Sequence, residues 1–306
     1  MIDLRSYNKE TRSMLANVFY PTMSEKYANE IAECINRSSV YNRLPESQDA
    51  VQDIIDEVKM SPAARIHLVP TDSVSCLFKY ATARDSKTAV LNFASFKHPG
   101  GMFLNGSSAQ EESLCHQSIL YPVLLAFVDN YYAPHQKTLN HGLYQDEAIY
   151  SKDVLFFDYT LEHTVNNGKP RFDYKLNAKT TADVITCAAP NAKAFLRRKH
   201  GLRWEDYLLD DEVVGAMHDR ILTVLDSAVI GGARTLILGA FGCGVFGNDP
   251  GVVADYFYDY LTDDYAGCFD DVYFAVPKYD KSGRIEPNYK EFRNYIDMYD
   301  GDCLED

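Results

Sequence analysis

Over the first sixty residues apolar positions recur three and four apart. In "MSEKYANEIAECINRSS" (23–39) and "SQDAVQDIIDEVKM" (47–60) that spacing gathers the apolar side chains on one face of a helix, with Ser24 and Ser47 standing as candidate N-caps. From residue 64 the pattern changes. Runs rich in β-branched and aromatic residues, "RIHLVP", "TAVLNFAS", "VLFFDY", "DVITCA", "TLILGAF" and "DVYFAVP", predict six strands. Several are apolar almost throughout, as expected of strands covered on both faces. Helix-like segments at 72–83, 110–121, 212–230, 249–262 and 286–299 lie between or after them, so the fold class read from the pattern is an α/β sandwich with a mainly parallel or mixed sheet. The expected organisation is an N-terminal helical extension over 1–60, one domain over 61–300, and an acidic, frayed tail over 301–306 within "DMYDGDCLED".

Composition narrows the partners. The 306 residues are 46% hydrophobic and 24% charged, and no apolar run approaches the roughly 20 residues a bilayer-spanning helix needs. The N-terminal stretch lacks a signal-peptide pattern, and the seven cysteines are odd in number and never spaced as CxxC, so a cytoplasmic location with free thiols is expected. A formal net charge of −14 works against binding along a nucleic-acid backbone. Backbone N–H groups in a glycine-rich loop hold a small anion without net positive charge, so an anion site belongs in loops.

Two loops fit. "PGGMFLNGSSAQEES" follows a buried-looking strand and leads into a helix that Pro122 should end or kink. Gly100 and Gly101 would admit a ligand to the backbone, and Gln110, Glu111 and Glu112 open the helix. Alone, this reads equally as a turn followed by first-turn acids that stabilise the helix dipole. A second strand runs into "GAFGCGVFGNDPG", with Gly239, Gly242, Gly244 and Gly247, and a helix follows from about Asp249. Glycines at this density after a strand fit a phosphate, or a tight connection with several residues at positive φ. Gly242 to Gly247 also matches GxGxxG, but no acidic residue stands where a dinucleotide fold places one and a proline opens the helix, so that reading ranks lower. Two glycine loops clasping a diphosphate beside a carboxylate pair point to glycosidic chemistry, whose oxocarbenium-like state needs an acid at the leaving group.

"VLNFASFKHPGGMFLNGSSAQEESLCHQSILY" (90–121) and "LGAFGCGVFGNDP" (238–250) resemble the signature loops of the microbial-type poly(ADP-ribose) glycohydrolases, and "RSYNKETRSML", "HLVPTDSVSCLFKYA", "IYSKDVLFFD" and "ADVITCAAPN" extend the resemblance over most of the chain. It implies a macrodomain-like three-layer α/β/α sandwich around a mixed six-stranded sheet. It also implies an enzyme that cleaves ribose–ribose O-glycosidic bonds of poly(ADP-ribose) on modified proteins and uses no cofactor; the acidic net charge, which disfavours gripping a long polyanion, fits action at a chain terminus or on a single ADP-ribose better than tracking along a polymer. Glu112 would be the catalytic acid and Glu111 would hold the neighbouring ribose hydroxyls. Gly100, Gly101, Gln110, Gly242, Cys243, Gly244 and Val245 would approach the diphosphate and distal ribose. Phe246 would pack on that ribose, and Asp72 stands either at the adenine end or as a helix N-cap. Met102 replaces the family's third glycine and would crowd the distal ribose.

Adjacent helical residues diverge by about 100°, so both glutamates share a site only if the ligand lies over the helix start. The helix dipole lowers a glutamate's pKa there, so desolvation and mutual repulsion must dominate in a general acid. The alternatives are a noncatalytic or weakly active ADP-ribose reader, a hydrolase of mono-ADP-ribosylated targets, and a nucleotide-cofactor enzyme. Cys243 reads as a small buried loop residue rather than a nucleophile, Cys115-His116 as no dyad, and Trp204 as packing; the eight histidines form no metal-binding pair.

Overall fold

All six apolar runs become strands, and two short edge strands join them. In the computed structural model, which describes residues 4–58, 61–82, 86–166, 169–201, 210–280, 282–298 and 302–304, the strands are β1 Ser39–Asn42, β2 Arg65–Val69, β3 Thr88–Phe93, β4 Glu147–Asn166, β5 Lys169–Cys187, β6 Thr235–Leu238, β7 Asp271–Ala275 and β8 Asp302–Cys303. They form one mixed sheet of eight strands, not six, in the order β1-β4-β5-β3-β6-β7-β2-β8. β1 with β4 and β4 with β5 pair antiparallel, and along the sheet from β5 to β8 every pairing is parallel.

The two additional strands explain themselves. β1 is a four-residue link between helices, too short for alternation to show, and it brings part of the first sixty residues into the sheet. β8 pairs His67 with Asp302 and Leu68 with Cys303, and the Leu304 N–H donates to the Leu68 carbonyl at 3.0 Å. That part of the acidic tail is therefore an edge strand rather than frayed chain. "VLFFDY" and "DVITCA" are only segments of β4 and β5, which pair along most of their length with irregularities between Ser151 and Val154 and between Asp158 and Tyr159; the polar residues of 160–181 hid the rest.

The helices are α1 Lys9–Lys26, α2 Ala28–Arg37, α3 Pro45–Val58, α4 Ser73–Cys76, α5 Gln110–His116, α6 Leu120–Leu125, α7 Ala133–Lys137, α8 Ala192–His200, α9 Asp211–Gly231, α10 Pro250–Thr262 and α11 Pro287–Met298. Ser24 lies inside α1, whose N-cap is Asn8, and Ser47 lies inside α3, which opens on Pro45, so neither serine caps. The helix expected over 110–121 stops at His116, before Pro122. Residues 117–119 leave it to bond with β4 (Ile119 N–H to Leu155 O, 3.0 Å; Phe157 N–H to Gln117 O, 2.8 Å), and Pro122 falls in the first turn of α6, where its missing N–H costs nothing. Trp204 lies outside the described residues.

Alternate residues of each central strand feed two separate cores. Leu68, Leu91, Leu236 and Phe274 pack with residues of α9, α10 and α11. Val69, Val90, Ile237 and Tyr273 pack with residues of α1, α2, α5 and α6. Burial on both faces is what made the runs apolar throughout.

Candidate active site

The carboxyl ends of the parallel strands share one cavity of about 680 Å³, within the range of small-molecule sites. Its wall carries Asp72 after β2, Phe93 and Ala94 at the end of β3, Ala189 after β5, the second glycine loop after β6, and Val276 to Tyr279 after β7. This is the edge of an open α/β sheet at which ligands bind. Nothing in "DVYFAVP" marks the end of β7 as part of a site.

Of the sequence-derived candidates, Asp72, Gln110, Gly242, Gly244, Val245 and Phe246 line the cavity; Gly100, Gly101, Glu111, Glu112 and Cys243 do not. Gln110 is committed to the protein. Its carbonyl accepts from the Phe93 N–H (2.9 Å), and its amide donates to Leu91 O (2.7 Å) and Ser73 Oγ (3.1 Å), which fixes the start of α5 against the end of β3. Asp72 takes the N-cap role, accepting from Val74 N–H and Ser75 N–H at 3.0 Å each and from Ser75 Oγ at 2.6 Å.

The glutamates turn from the first turn of α5 toward the first glycine loop, and both are buried. Glu112 Oε1 accepts the Met102 N–H at 2.8 Å, while its Oε2 has no partner. Glu111 Oε2 accepts the Ser95 N–H at 2.7 Å, and Oε1 lies 3.5 Å from Asn92 Nδ2. Burial pushes the Glu111 carboxyl well above the ordinary range and the neighbouring Glu112 charge adds to this, against the lowering effect of the Ser95, Asn92 and Gly100 donors. Asn92 and Ser95 were missed in the sequence. A polar residue inside "AVLNFAS" was the available signal.

The geometry explains Gly101. It sits at φ +60°, and a Cβ there would lie 2.5 Å from Glu112 Oε1 and 2.9 Å from Glu111 Oε2. Gly100, at φ +66°, would drive a Cβ to 2.6 Å from the Tyr121 ring. Met102 needs no glycine: its φ is −106° and its side chain is 48% exposed, so the residue contributes its N–H to Glu112 and turns its side chain outward.

In the second loop Gly242 (φ +72°) and Gly247 (φ +74°) are also forced, the first by Ala189 and Asn248 and the second by Lys193. Gly244 differs: a Cβ there would meet nothing within 4 Å. Val245 is 79% exposed beside it. Burial, and then the Asp249 charge, push the Cys243 thiol far above its ordinary value, which keeps it protonated and a poor nucleophile. Cys115 is likewise pushed up by burial, and burial with the Arg12 charge lowers His116 to about 4, so no thiolate–imidazolium pair forms.

The model for microbial-type PARG, catalytic domain, matches residues 8–158. The poly(ADP-ribose) glycohydrolase of Thermomonospora curvata bound to the inhibitor ADP-HPD is 30% identical over 93% of this chain and 99% of that chain, with a TM-score of 0.73. The chain belongs to the microbial-type poly(ADP-ribose) glycohydrolase family. Another structure of the Thermomonospora curvata enzyme is 29% identical over 94% and 99% of the two chains, with a TM-score of 0.74. The glycohydrolase of Deinococcus radiodurans in complex with ADP-ribose is 28% identical over 88% and 98%, with a TM-score of 0.71. No curated protein sequence matches. Membership of this glycohydrolase family removes the nucleotide-cofactor reading of GxGxxG.

Proposed function

We propose that this chain hydrolyses the ribose–ribose O-glycosidic bonds of poly(ADP-ribose), releasing ADP-ribose from the chain terminus, with Glu112 as the acid. The observation that carries the reading is the Glu112 carboxylate itself: buried, fixed through Oε1 by the Met102 N–H, and left with an unpartnered Oε2 on a residue adjacent to Ser113 and two from Gln110, both of which line the cavity. A buried carboxylate oxygen without a donor is costly unless another group meets it, and a leaving-group oxygen does so. Protonated, Glu112 gives its proton to that oxygen as the C–O bond breaks with the electron pair going to the leaving ribose. Water then adds to the anomeric carbon and its proton returns to the carboxylate, which balances the step. Glu111 holds the neighbouring ribose hydroxyls.

The second loop takes the diphosphate at Gly244, where the backbone stands open, with Phe246 against the distal ribose. Asp72 orients α4 below the adenine end through its capping bonds. The two cores on opposite faces of the sheet support the macrodomain-like three-layer arrangement, with 1–60 as an extension that lends β1 to it.

The test is product analysis of poly(ADP-ribosylated) and mono-ADP-ribosylated protein, beside calorimetry with ADP-ribose and NAD. Release of ADP-ribose from the polymer is expected, with ADP-ribose bound more tightly than NAD. Binding without release would make the chain a reader, and release from mono-ADP-ribosylated protein alone would move the bond cleaved; failure to bind ADP-ribose would overturn the reading.

A further inference from the structure

We propose that the N-terminal helix α1 is a working part of the active site: Arg12, Ser13 and Asn17 are positioning residues that clamp the loop carrying the Met102 N–H, and so fix the Glu112 carboxylate. The inference rests on Glu112 being the acid.

The clamp is continuous. Residues 102–106 form a closed turn, with Gly106 N–H bonded to Phe103 O at 3.0 Å and Ser107 N–H to Met102 O at 3.2 Å. One side of that turn rests on its own structural neighbours, since the buried Phe103 ring packs against Tyr121 and edge-on against His116. The other side is held by α1. Arg12, buried, donates from Nε to Gly106 O at 2.8 Å and from Nη1 to Tyr7 O. Ser13 Oγ donates to Leu104 O at 2.6 Å, and Asn17 Nδ2 donates to the same carbonyl at 3.1 Å. Contact is so close that a Cβ on Gly106, itself at φ +76°, would lie 2.1 Å from the Lys9 carbonyl and 2.7 Å from the Ser13 nitrogen.

Physical chemistry makes this more than packing. The Met102 N–H is the only hydrogen-bond donor on Glu112 among the described residues, and the carbonyl side of Met102 belongs to the turn that α1 grips. A buried guanidinium needs its acceptors, and among the described residues these are two main-chain carbonyls, Gly106 O in the turn and Tyr7 O before α1. Truncating Arg12 therefore leaves the turn free to move by the tenths of an ångström to which an acid in a glycosidic site is sensitive. Leu4, just before α1, lines the cavity, so the N-terminal segment reaches the site at two points.

The test compares Arg12→Ala, Arg12→Lys and Ser13→Ala/Asn17→Ala in the full chain, measuring kcat, KM, calorimetric ADP-ribose affinity and melting temperature. For Arg12→Ala a fall in kcat of about tenfold or more is expected well below the melting temperature, with ADP-ribose Kd within about threefold of the parent. Arg12→Lys, which can still donate to one carbonyl, recovers part of the loss. Ser13→Ala/Asn17→Ala, which keeps Arg12, lowers kcat by a smaller factor and serves if Arg12→Ala does not fold. In a Glu112→Gln background the Arg12 substitution causes no further loss of the residual turnover, because both act through one group. An unchanged kcat in the folded variants, or equal losses with and without Glu112, would overturn the clamp. Full turnover in Glu112→Gln alone would overturn it too, and would identify the reading of Glu112 as what failed.

Discussion

The two glycine loops look alike in the sequence and differ in what their glycines are for. Each follows a strand of the parallel part of the sheet and precedes a helix. In the first, the space a side chain would fill at Gly101 is occupied by the molecule's own carboxylates, and at Gly100 by Tyr121 and Cys115. In the second, Gly242 and Gly247 are close-packed turn positions, whereas Gly244 faces open space on the cavity wall. Glycine density therefore marks close approach without saying what approaches. In one loop it is the buried Glu111–Glu112 pair; in the other, at Gly244 alone, nothing of the protein stands within reach.

That contrast can be broken at chosen positions. The largest effect is expected for Gly101→Ala, where a left-handed φ costs about 1–2 kcal/mol and the new methyl displaces Glu112. Turnover should fall about 10²-fold, with a lower melting temperature, while ADP-ribose affinity stays within a few-fold. A loss confined to affinity would mean that this loop, too, is a ligand cradle. Gly244→Val comes next. Having no neighbour to strike, it should leave the melting temperature unchanged and weaken ADP-ribose binding about tenfold, equivalent to about 1.4 kcal/mol.

Glu111 supplies a pH-dependent comparison. Its carboxyl is held well above the ordinary range, so the folded chain binds the proton more tightly than the unfolded chain does. The stability from this is complete below the unfolded value of 4.5 and is lost as pH rises through the folded one. Glu111→Gln removes the loss and keeps an acceptor for Ser95. Its melting temperature should exceed the parent's by about 3 °C near pH 8 and by less near pH 4, as followed by thermal unfolding. An equal difference at both pH values would mean that burial of the charge is not the cause. The smallest effect is expected at Met102: Met102→Gly restores the family's letter but changes kcat and Kd by less than about threefold, because the N–H that matters is retained and the side chain points outward.

How much of this was legible follows the same physics. The six central strands announced themselves because burial on both faces leaves them largely apolar, and the order of the loops and of Gln110, Glu111 and Glu112 followed from them. β1 and β8 were too short to carry a period, and the long β4–β5 hairpin was concealed by its polar composition. Local sequence also could not show that Gln110 spends its amide on β3 and α4, that Asn92 and Ser95 meet Glu111, or that α1 reaches the first loop. Each depends on a neighbour distant in the chain.

Glu112→Gln, assayed for ADP-ribose release and by calorimetry with ADP-ribose on the same preparation, tests the central claim most directly. The amide can still accept from the Met102 N–H but has no proton to give to a leaving oxygen. Turnover should fall by about 10³-fold while the dissociation constant stays within about threefold. Retained turnover, or affinity and turnover falling together, would contradict the assignment of chemistry to the first loop and of binding to the second.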